Sequence, residues 1–169
     1  MQEENINYRG EITMPVSYKE EGEMKTIELI VYGNPVAQGR PRFSRQGGFV
    51  RTYDPVKSKS YKQLIRLELQ PLLSNPDFTP IDQACSLFLK VFRTIPNSFS
   101  KKKRYAAAEG VIRPITKPDT DNYVKGVLDA LNGTVLKDDS VVCEIFAQKF
   151  YSERPRIEVF IDDLRTAWR

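Results

Sequence analysis

Four stretches of the chain have the β-branched and aromatic composition that is typical of strands. They are residues 27–32, 84–92, 141–151 and 156–161. Residues 84–92 are apolar on both alternating faces, which predicts a strand in the interior of a sheet. The first stretch ends in the turn signal Gly33-Asn34-Pro35, and residues 152–155 join the last two.

Three other stretches show helical spacing of apolar residues or the boundary signals of helices. The first begins with Asp54 as N-cap, has a proline at the first helical position, and continues as far as Pro76. Ser100 is predicted to cap a shorter helix over residues 101–109. Residues 121–131 are predicted to form a third helix with one apolar face.

These elements predict a single domain of the mixed α/β (α+β) class, with a small mixed sheet of about four strands packed against two to three helices. The length of 169 residues fits one domain with a substantial core. Residues 37–53, rich in Gly and Arg, are predicted to form a loop between the first strand and the first helix. Cys85 and Cys143 lie in strand-like apolar runs, so we interpret them as small core residues.

The charge is distributed unevenly along the chain. The formal net charge is +4, but residues 1–26 hold six glutamates against three basic residues, which leaves +7 on residues 27–169. We therefore expect an acidic N-terminal extension, residues 1–26, followed by a basic domain, residues 27–169. A modest positive excess fits nucleic-acid binding and is also common on other domains.

The chain has no apolar run approaching the ~20 residues of a transmembrane helix, and its polar opening has no signal-peptide core. We therefore expect a cytoplasmic protein with no membrane partner. The chain also has no histidine, which excludes imidazole bases, Ser-His-Asp triads and the common histidine-ligated zinc hydrolases. Any hydrolytic chemistry would have to use carboxylates, lysine or a metal ion.

Residues 117–140 contain a cluster of aspartates in this basic chain, namely Asp119, Asp121, Asp129, Asp138 and Asp139. Pro118 favours an extended backbone before it, and residues two apart in an extended segment point the same way. Asp119 and Asp121 are therefore predicted to converge at the start of the third helix. Asp121 can also cap that helix, and Lys125 and Asp129 would flank the same place.

Asp138 and Asp139 fall in the connection from the third helix to the next strand, where a short return can bring them beside the start of the helix. So many anions close together would repel one another, and a divalent cation resolves that conflict. Ligands that are all oxygen suit Mg²⁺ or Mn²⁺. Taken singly, each aspartate also has a structural interpretation as a helix cap, a turn residue or the partner of a solvated lysine.

Three basic segments are predicted to bind DNA, and the weakest candidate is the first helix, with Lys57, Lys59 and Lys62. The loop mixes aromatic residues with four arginines, a pattern suited to phosphate contacts and base stacking, and these are Arg40, Arg42, Arg45 and Arg51. The second helix has four cations in its first turn, where the helix dipole disfavours them unless a polyanion is near, and these are Lys101, Lys102, Lys103 and Arg104. The loop and the first turn of the second helix can alternatively be solvated surface.

The pattern D-x-D-N-x-x-K-x-x-x-D-A-L, followed by L-x-D-D-S-x-V, resembles the signature of the RusA family of Holliday-junction resolvases over residues 117–142. The resemblance implies a small homodimeric α/β endonuclease, of a kind often encoded by prophages, that cuts four-way DNA junctions symmetrically with Mg²⁺. It assigns Asp119, Asp121 and Asp139 as catalytic metal ligands and Lys125 as the catalytic lysine. Supporting positions are Asn122, Asp129 and Asp138. The N-terminal extension and the insertion at residues 101–110 depart from the short members of the family.

On this basis residues 27–169 are expected to form a RusA-like nuclease domain. The predicted function is Mg²⁺-dependent resolution of Holliday junctions by paired phosphodiester hydrolysis, in DNA recombination and repair. Two alternatives remain open. A DNA-binding module without catalysis would not need all three carboxylates, and a Mg²⁺-dependent nucleotide phosphohydrolase would have a nucleoside pocket in place of an extended basic surface.

Overall fold

The structure, a computed structural model, describes residues 16–21, 24–46 and 49–164. Its strands are β1 Val16–Glu21, β2 Met24–Tyr32, β3 Arg42–Gln46, β4 Phe49–Tyr53, β5 Cys85–Thr94, β6 Val142–Ser152 and β7 Arg156–Asp163. Its helices are α1 Val56–Glu68, α2 Gln70–Leu73, α3 Lys101–Ala108 and α4 Thr120–Leu131, with a short 3₁₀ helix at Asp139–Val141.

Five of the described strands form one sheet in the order β1-β2-β7-β5-β6. All neighbours in it are antiparallel except β5 and β6, which are parallel, while β3 and β4 form a separate antiparallel pair. The predicted α+β class is confirmed, with five strands in the sheet where about four were expected. None of the helices in the described part has the length and apolarity needed to cross a membrane.

The core lies between one face of this sheet and the two longest helices. Along β5 the burial alternates, so that Leu87, Leu89 and Val91 are buried on the helix side. Ile65 of α1 and Leu131 of α4 are also fully buried in this core. Each such side chain stabilises the fold by roughly 1.5–3 kcal/mol, so the apolar stripe of α4 fixes that helix against the sheet.

The opposite face of the sheet is lined by aromatic pairs. Phe88 stacks on Phe146 with ring centroids 5.0 Å apart, and Phe92 stacks on Phe150 at 5.1 Å. These pairs cross from β5 to the edge strand β6 at positions that are directly opposite in the register. Because β6 is an edge strand, Cys143 is exposed, and its interpretation as a core residue is wrong, whereas Cys85 is buried as expected.

Two predicted helix starts differ from those in the structure. Asp54 is not the N-cap of α1; Pro55 occupies that position without a side-chain cap. Helix α4 begins after Asp119, so Asp121 lies in the first turn and does not cap the helix. The predicted cap of α3 is confirmed, because the Ser100 side chain accepts a hydrogen bond from the Lys103 amide.

Two strand regions were not anticipated. The predicted loop at residues 37–53 contains β3 and β4, and the Gly-Gly pair between these runs is a hairpin signal, although residues 47–48 lie outside the described part. In the predicted N-terminal extension, β1 pairs with β2 and so belongs to the sheet. Residues 1–15 of that extension lie outside the described residues, and its separate role stays a prediction.

Candidate active site

Helix α4 is held against the segment that leads into β3. The Gln38 amide donates a hydrogen bond to the Asn122 carbonyl oxygen at 2.9 Å. A Cβ on Gly126 would lie 3.3 Å from the Gln38 nitrogen, so glycine permits this close approach between helix and loop. The first turns of α4 therefore lie beside the segment that leads into β3.

Asp119 and Asp121 both lie at the N-terminal end of α4. Asp119 occupies the N-cap position in an extended conformation, but its side chain makes no capping hydrogen bond. Asp121 is already helical. The prediction that Asp119 and Asp121 share one extended segment, and converge for that reason, is therefore wrong. Both residues are exposed, and neither forms an ion pair within the described residues. The positive end of the helix dipole favours both carboxylates at this place.

The Asp138-Asp139 pair lies at the 3₁₀ helix, which contacts α4. Asp138 caps this helix by accepting a hydrogen bond from the Ser140 amide at 3.0 Å. Hydrogen bonding by Ser140 holds the pKa of Asp138 below its ordinary value. Asp139 is exposed and has no ion-pair partner among the residues described.

The three predicted metal ligands do not form a closed cluster. Within residues 16–21, 24–46 and 49–164, no group of three or more Asp, Glu, Cys or His side chains is close enough together to hold a metal ion. Mg²⁺ is commonly bound by one or two carboxylates together with waters and substrate phosphates. The donor chemistry of Asp119 and Asp121 fits that kind of site.

Asp129, two turns along α4, has a different environment. Its carboxylate lies 3.3 Å from Lys62 Nζ and 4.0 Å from Lys125 Nζ. Lys62 also binds Asp54 at 2.5 Å, and Asp54 in turn accepts a hydrogen bond from Gln38 Nε2 at 2.8 Å. These contacts connect α1, α4 and the residue that follows β4.

The pKa values in this network follow from its contacts. The hydrogen bond from Lys62 is the largest cause that holds the pKa of Asp54 below its ordinary value. Burial acts to lower the pKa of Lys62, but its hydrogen bonds to Asp54 and Asp129 outweigh that effect and raise it. Both shifts favour the charged forms at neutral pH. Sequence reasoning gave Lys62 only a minor place in a basic helix, because its two partners lie on other elements.

The segment that precedes Asp119 is held by two cationic side chains from the sheet. Arg93 Nη1 of β5 donates to the Thr116 carbonyl oxygen at 3.1 Å, and Lys149 Nζ of β6 donates to the Pro118 carbonyl oxygen at 3.0 Å. The Lys117-Pro118 peptide bond is cis. Sequence reasoning did not identify Arg93 or Lys149, since neither belongs to the aspartate motif.

The predicted DNA-binding residues fall into two groups. Arg40 is exposed beside the β3–β4 pair, while Arg42, Arg45 and Arg51 lie on the strands themselves. Phe43 and Tyr53 of the same pair are 70% and 46% exposed, which leaves aromatic surface available for stacking.

On α3 the lysines and the arginine differ. Lys101, Lys102 and Lys103 are exposed, and Lys103 Nζ lies 4.0 Å from the centroid of the Phe99 ring. Arg104 is instead paired with Glu153, its Nη2 atom lying 2.7 Å from Oε1. The lysines are therefore the more accessible part of this basic segment.

A family model described as "Endodeoxyribonuclease RusA" matches residues 32–162. The chain belongs to the RusA endodeoxyribonuclease family. The match extends from the end of β2 almost to the end of β7, so it includes the β3–β4 pair, α4 and all the aspartates discussed above. The resemblance inferred from residues 117–142 is therefore confirmed for the family.

A protein of similar sequence matches an equally large part of this chain. The protein named "Uncharacterized protein YqaN" of Bacillus subtilis (strain 168) is 50% identical over 143 residues, which is 83% of this chain and 99% of YqaN. Nearly the whole of YqaN thus corresponds to one continuous part of this chain.

Proposed function

We propose that the protein is a Mg²⁺-dependent, structure-specific endodeoxyribonuclease that resolves Holliday junctions by paired phosphodiester hydrolysis in DNA recombination and repair. The observation that supports this most directly is the pair of exposed aspartates, Asp119 and Asp121, without ion-pair partners in the described residues, at the start of α4 in a RusA-family chain. The absence of histidine is consistent with hydrolysis that depends on carboxylates. We expect the protein to act in the cytoplasm, where it meets the DNA.

Asp119 and Asp121 would hold Mg²⁺ together with water and phosphate oxygens, and Asp139, which is not clustered with them in the structure, is the third proposed ligand. Mn²⁺ would be accepted by the same oxygen ligands. The ion, when bound, would activate water and neutralise charge that develops on the phosphate. The Lys125 side chain is 66% exposed, and its Nζ atom is as far as 4.0 Å from Asp129 Oδ1. Its ammonium group is therefore available to contact the phosphodiester. Asn122 and Asp138 would support this site through Asp121 and the 3₁₀ helix, respectively.

The basic residues beside β3 and β4 would contact the DNA backbone. Arg40, Arg42, Arg45 and Arg51 lie on or next to this strand pair, and the segment that leads into β3 is hydrogen-bonded to α4 through Gln38. Phosphate contacts by such residues would position the DNA at the carboxylates without reading its sequence. Lys101, Lys102 and Lys103 of α3 would add a second basic surface, with Arg104 kept in its ion pair with Glu153.

We also propose that the protein acts as a homodimer. A four-way junction presents two equivalent strands, and each chain provides one set of these aspartates. An isologous dimer would present the same site to both strands and so give symmetric cuts. Light scattering at micromolar concentration tests this, and a monomeric mass together with nicked cruciform plasmid as the main product would contradict it.

The decisive experiment compares synthetic four-way, flap and linear DNA for binding and cleavage, with Mg²⁺, with Ca²⁺ and with EDTA. We expect tight binding of the four-way junction under all three conditions and paired cuts only with Mg²⁺. Binding without cleavage would indicate a DNA-binding module. Hydrolysis of free nucleotides without junction cleavage would indicate a nucleotide phosphohydrolase.

A further inference from the structure

Lys149 is a cation on the core side of the sheet. It is directly opposite Val91 in the parallel register of β5 and β6, and Val91 is fully buried on the face that the helices cover. Residues opposite each other in a register project from the same face. Lys149 therefore extends beneath the start of α4, whereas its neighbours Gln148 and Phe150 belong to the other face.

The hydrogen-bond partners of the partly buried Lys149 ammonium group are neutral carbonyl oxygens. Its ammonium group donates to two carbonyl oxygens, that of Pro118 at 3.0 Å and that of Thr116 at 3.4 Å. It forms no ion pair within the described residues. Removing a charge from water without an opposite charge is costly, so a cation at this place is better explained if negative charge is brought close to it.

Arg93 reinforces the same segment from the neighbouring strand. Its Nη1 atom donates to both the carbonyl oxygen and the hydroxyl oxygen of Thr116, at 3.1 and 3.2 Å. Two adjacent strands thus provide two cations that bind the backbone of residues 116–118. We call this arrangement, made of Arg93, Lys149 and residues 116–118, the cationic strap.

The strap ends one peptide bond before Asp119. The Pro118 carbonyl that Lys149 binds belongs to the peptide unit that contains the Asp119 nitrogen. Since the Asp119 side chain makes no capping bond to α4, the helix itself does not orient this carboxylate. What constrains Asp119 is the direction in which the backbone enters the helix, and Lys149 binds that backbone.

We propose that Lys149, assisted by Arg93, is a positioning residue that orients Asp119 for binding a divalent cation. This rests on the proposed function, in which Asp119 is a metal ligand. Residues that hold a ligand in place without touching the metal typically change metal affinity ~10–100-fold when they are removed. A strap with only a structural role would affect the stability of the fold and leave the metal affinity of the folded protein unchanged.

The test uses the full chain with Lys149→Met, which removes the charge and the donor but keeps an unbranched side chain. Lys149→Arg restores a cation that can reach the same carbonyls. Lys90→Met is the matched control. Lys90 precedes Val91, the β5 residue opposite Lys149, so it lies at nearly the same level of the sheet but on the aromatic face. Its Nζ atom is 5.3 Å from the Phe88 ring centroid. Mn²⁺ affinity is measured without DNA by electron paramagnetic resonance of the free ion. Junction cleavage is then measured across Mg²⁺ concentrations to separate the apparent KM for Mg²⁺ from kcat.

We expect Lys149→Met to weaken Mn²⁺ binding ~10-fold and to raise the apparent KM for Mg²⁺ by a similar factor, with kcat at saturating Mg²⁺ within ~3-fold of wild type. Lys149→Arg should recover most of the loss, and Lys90→Met should match wild type. If Lys149→Met does not fold, Arg93→Met, which removes the other half of the strap, carries the same expectation.

Two outcomes would overturn the inference. One is a folded Lys149→Met protein whose Mn²⁺ affinity and KM for Mg²⁺ equal those of wild type, and the other is an equal loss in Lys90→Met. Failure of the proposed function is recognised separately, because then the wild-type protein itself would neither bind Mn²⁺ nor cut the junction.

Discussion

The aspartates at the two ends of α4 differ in their ion pairing. At the N-terminal end, Asp119 and Asp121 are exposed and have no ion-pair partner within the described residues. Two turns along, Asp129 contacts Lys62 at 3.3 Å, and Lys62 also holds Asp54. One end of the helix therefore has its negative charge compensated by the protein, while the other leaves it available to an external cation.

The burial of the two groups explains why they differ. The Lys62 side chain is only 16% exposed, and the two carboxylates that it pairs with are also partly buried. Removing Lys62 would therefore take away the closest cation of both Asp54 and Asp129. The N-terminal aspartates are in contact with solvent, which screens their repulsion when no cation is bound. Ion pairing thus marks Asp129 as a residue of the scaffold and leaves Asp119 and Asp121 as the candidates for chemistry.

The largest effect is expected from variants of the proposed metal ligands, which include the aspartates at the N-terminal end of α4. Asp119→Asn, Asp121→Asn or Asp139→Asn should each reduce Mg²⁺-dependent junction cleavage by at least ~100-fold, because each removes a proposed charged ligand. Binding of the junction in Ca²⁺ should remain close to wild type, since the basic surface is unchanged. Gel assays of cleavage and binding measure both quantities. Asp82→Asn, at another exposed aspartate, is the control, and wild-type cleavage by any of the three variants would remove that residue from the site.

The next largest effect is expected from removing Lys62, which pairs with Asp129 near the C-terminal end of α4. Lys62→Met should lower the free energy of unfolding by ~1–3 kcal/mol at neutral pH, because two carboxylates lose their charged hydrogen-bond donor. Urea unfolding measures this change. Lys59→Met, at an exposed position of the same helix, should change stability by less than ~0.5 kcal/mol. An equally small change in Lys62→Met would mean that the network is only a surface contact.

A smaller effect, in pH dependence, sharpens the same contrast. The pKa of Asp54 is depressed in the folded protein, chiefly by Lys62, below its ordinary value of 3.8. The resulting stabilisation is therefore complete above about pH 4 to 5 and is lost as pH falls through the folded pKa. The difference in unfolding free energy between wild type and Lys62→Met should shrink between pH 5 and about pH 2. Urea titrations across that range would contradict the assignment if the difference stayed constant.

The smallest expected effect concerns the lysine between the two ends. Lys125 is 66% exposed and 4.0 Å from Asp129, so Lys125→Met should change stability by less than ~0.5 kcal/mol. Under the proposed function the same variant should still lose junction cleavage, because its ammonium group would contact the phosphodiester. A stability loss as large as that of Lys62→Met would place Lys125 in the scaffold with Asp129.

Local patterns were enough to predict much of this protein. The apolar spacing predicted α4 to within one residue of its observed start at Thr120 and correctly at its observed end, Leu131. The spacing of the aspartates and Lys125 within residues 117–142 was sufficient to indicate the family. Both signals lie in one short segment, where the residue order directly sets which side chains share a helix face.

The pairings that divide the aspartates into two groups depended on the tertiary structure. Lys62 meets Asp129 across 67 residues, and Lys149 meets Pro118 across 31. These contacts depend on the order of the strands in the sheet and on how α1 packs against α4, which no pattern within a single segment specifies. The exposure of Cys143 has the same origin, because a strand-like sequence does not reveal that its strand lies at the edge. The sequence by itself therefore determined the set of candidate aspartates. The packing of distant elements decided which of these carboxylates are paired with a lysine and which are left without an ion pair in the described residues.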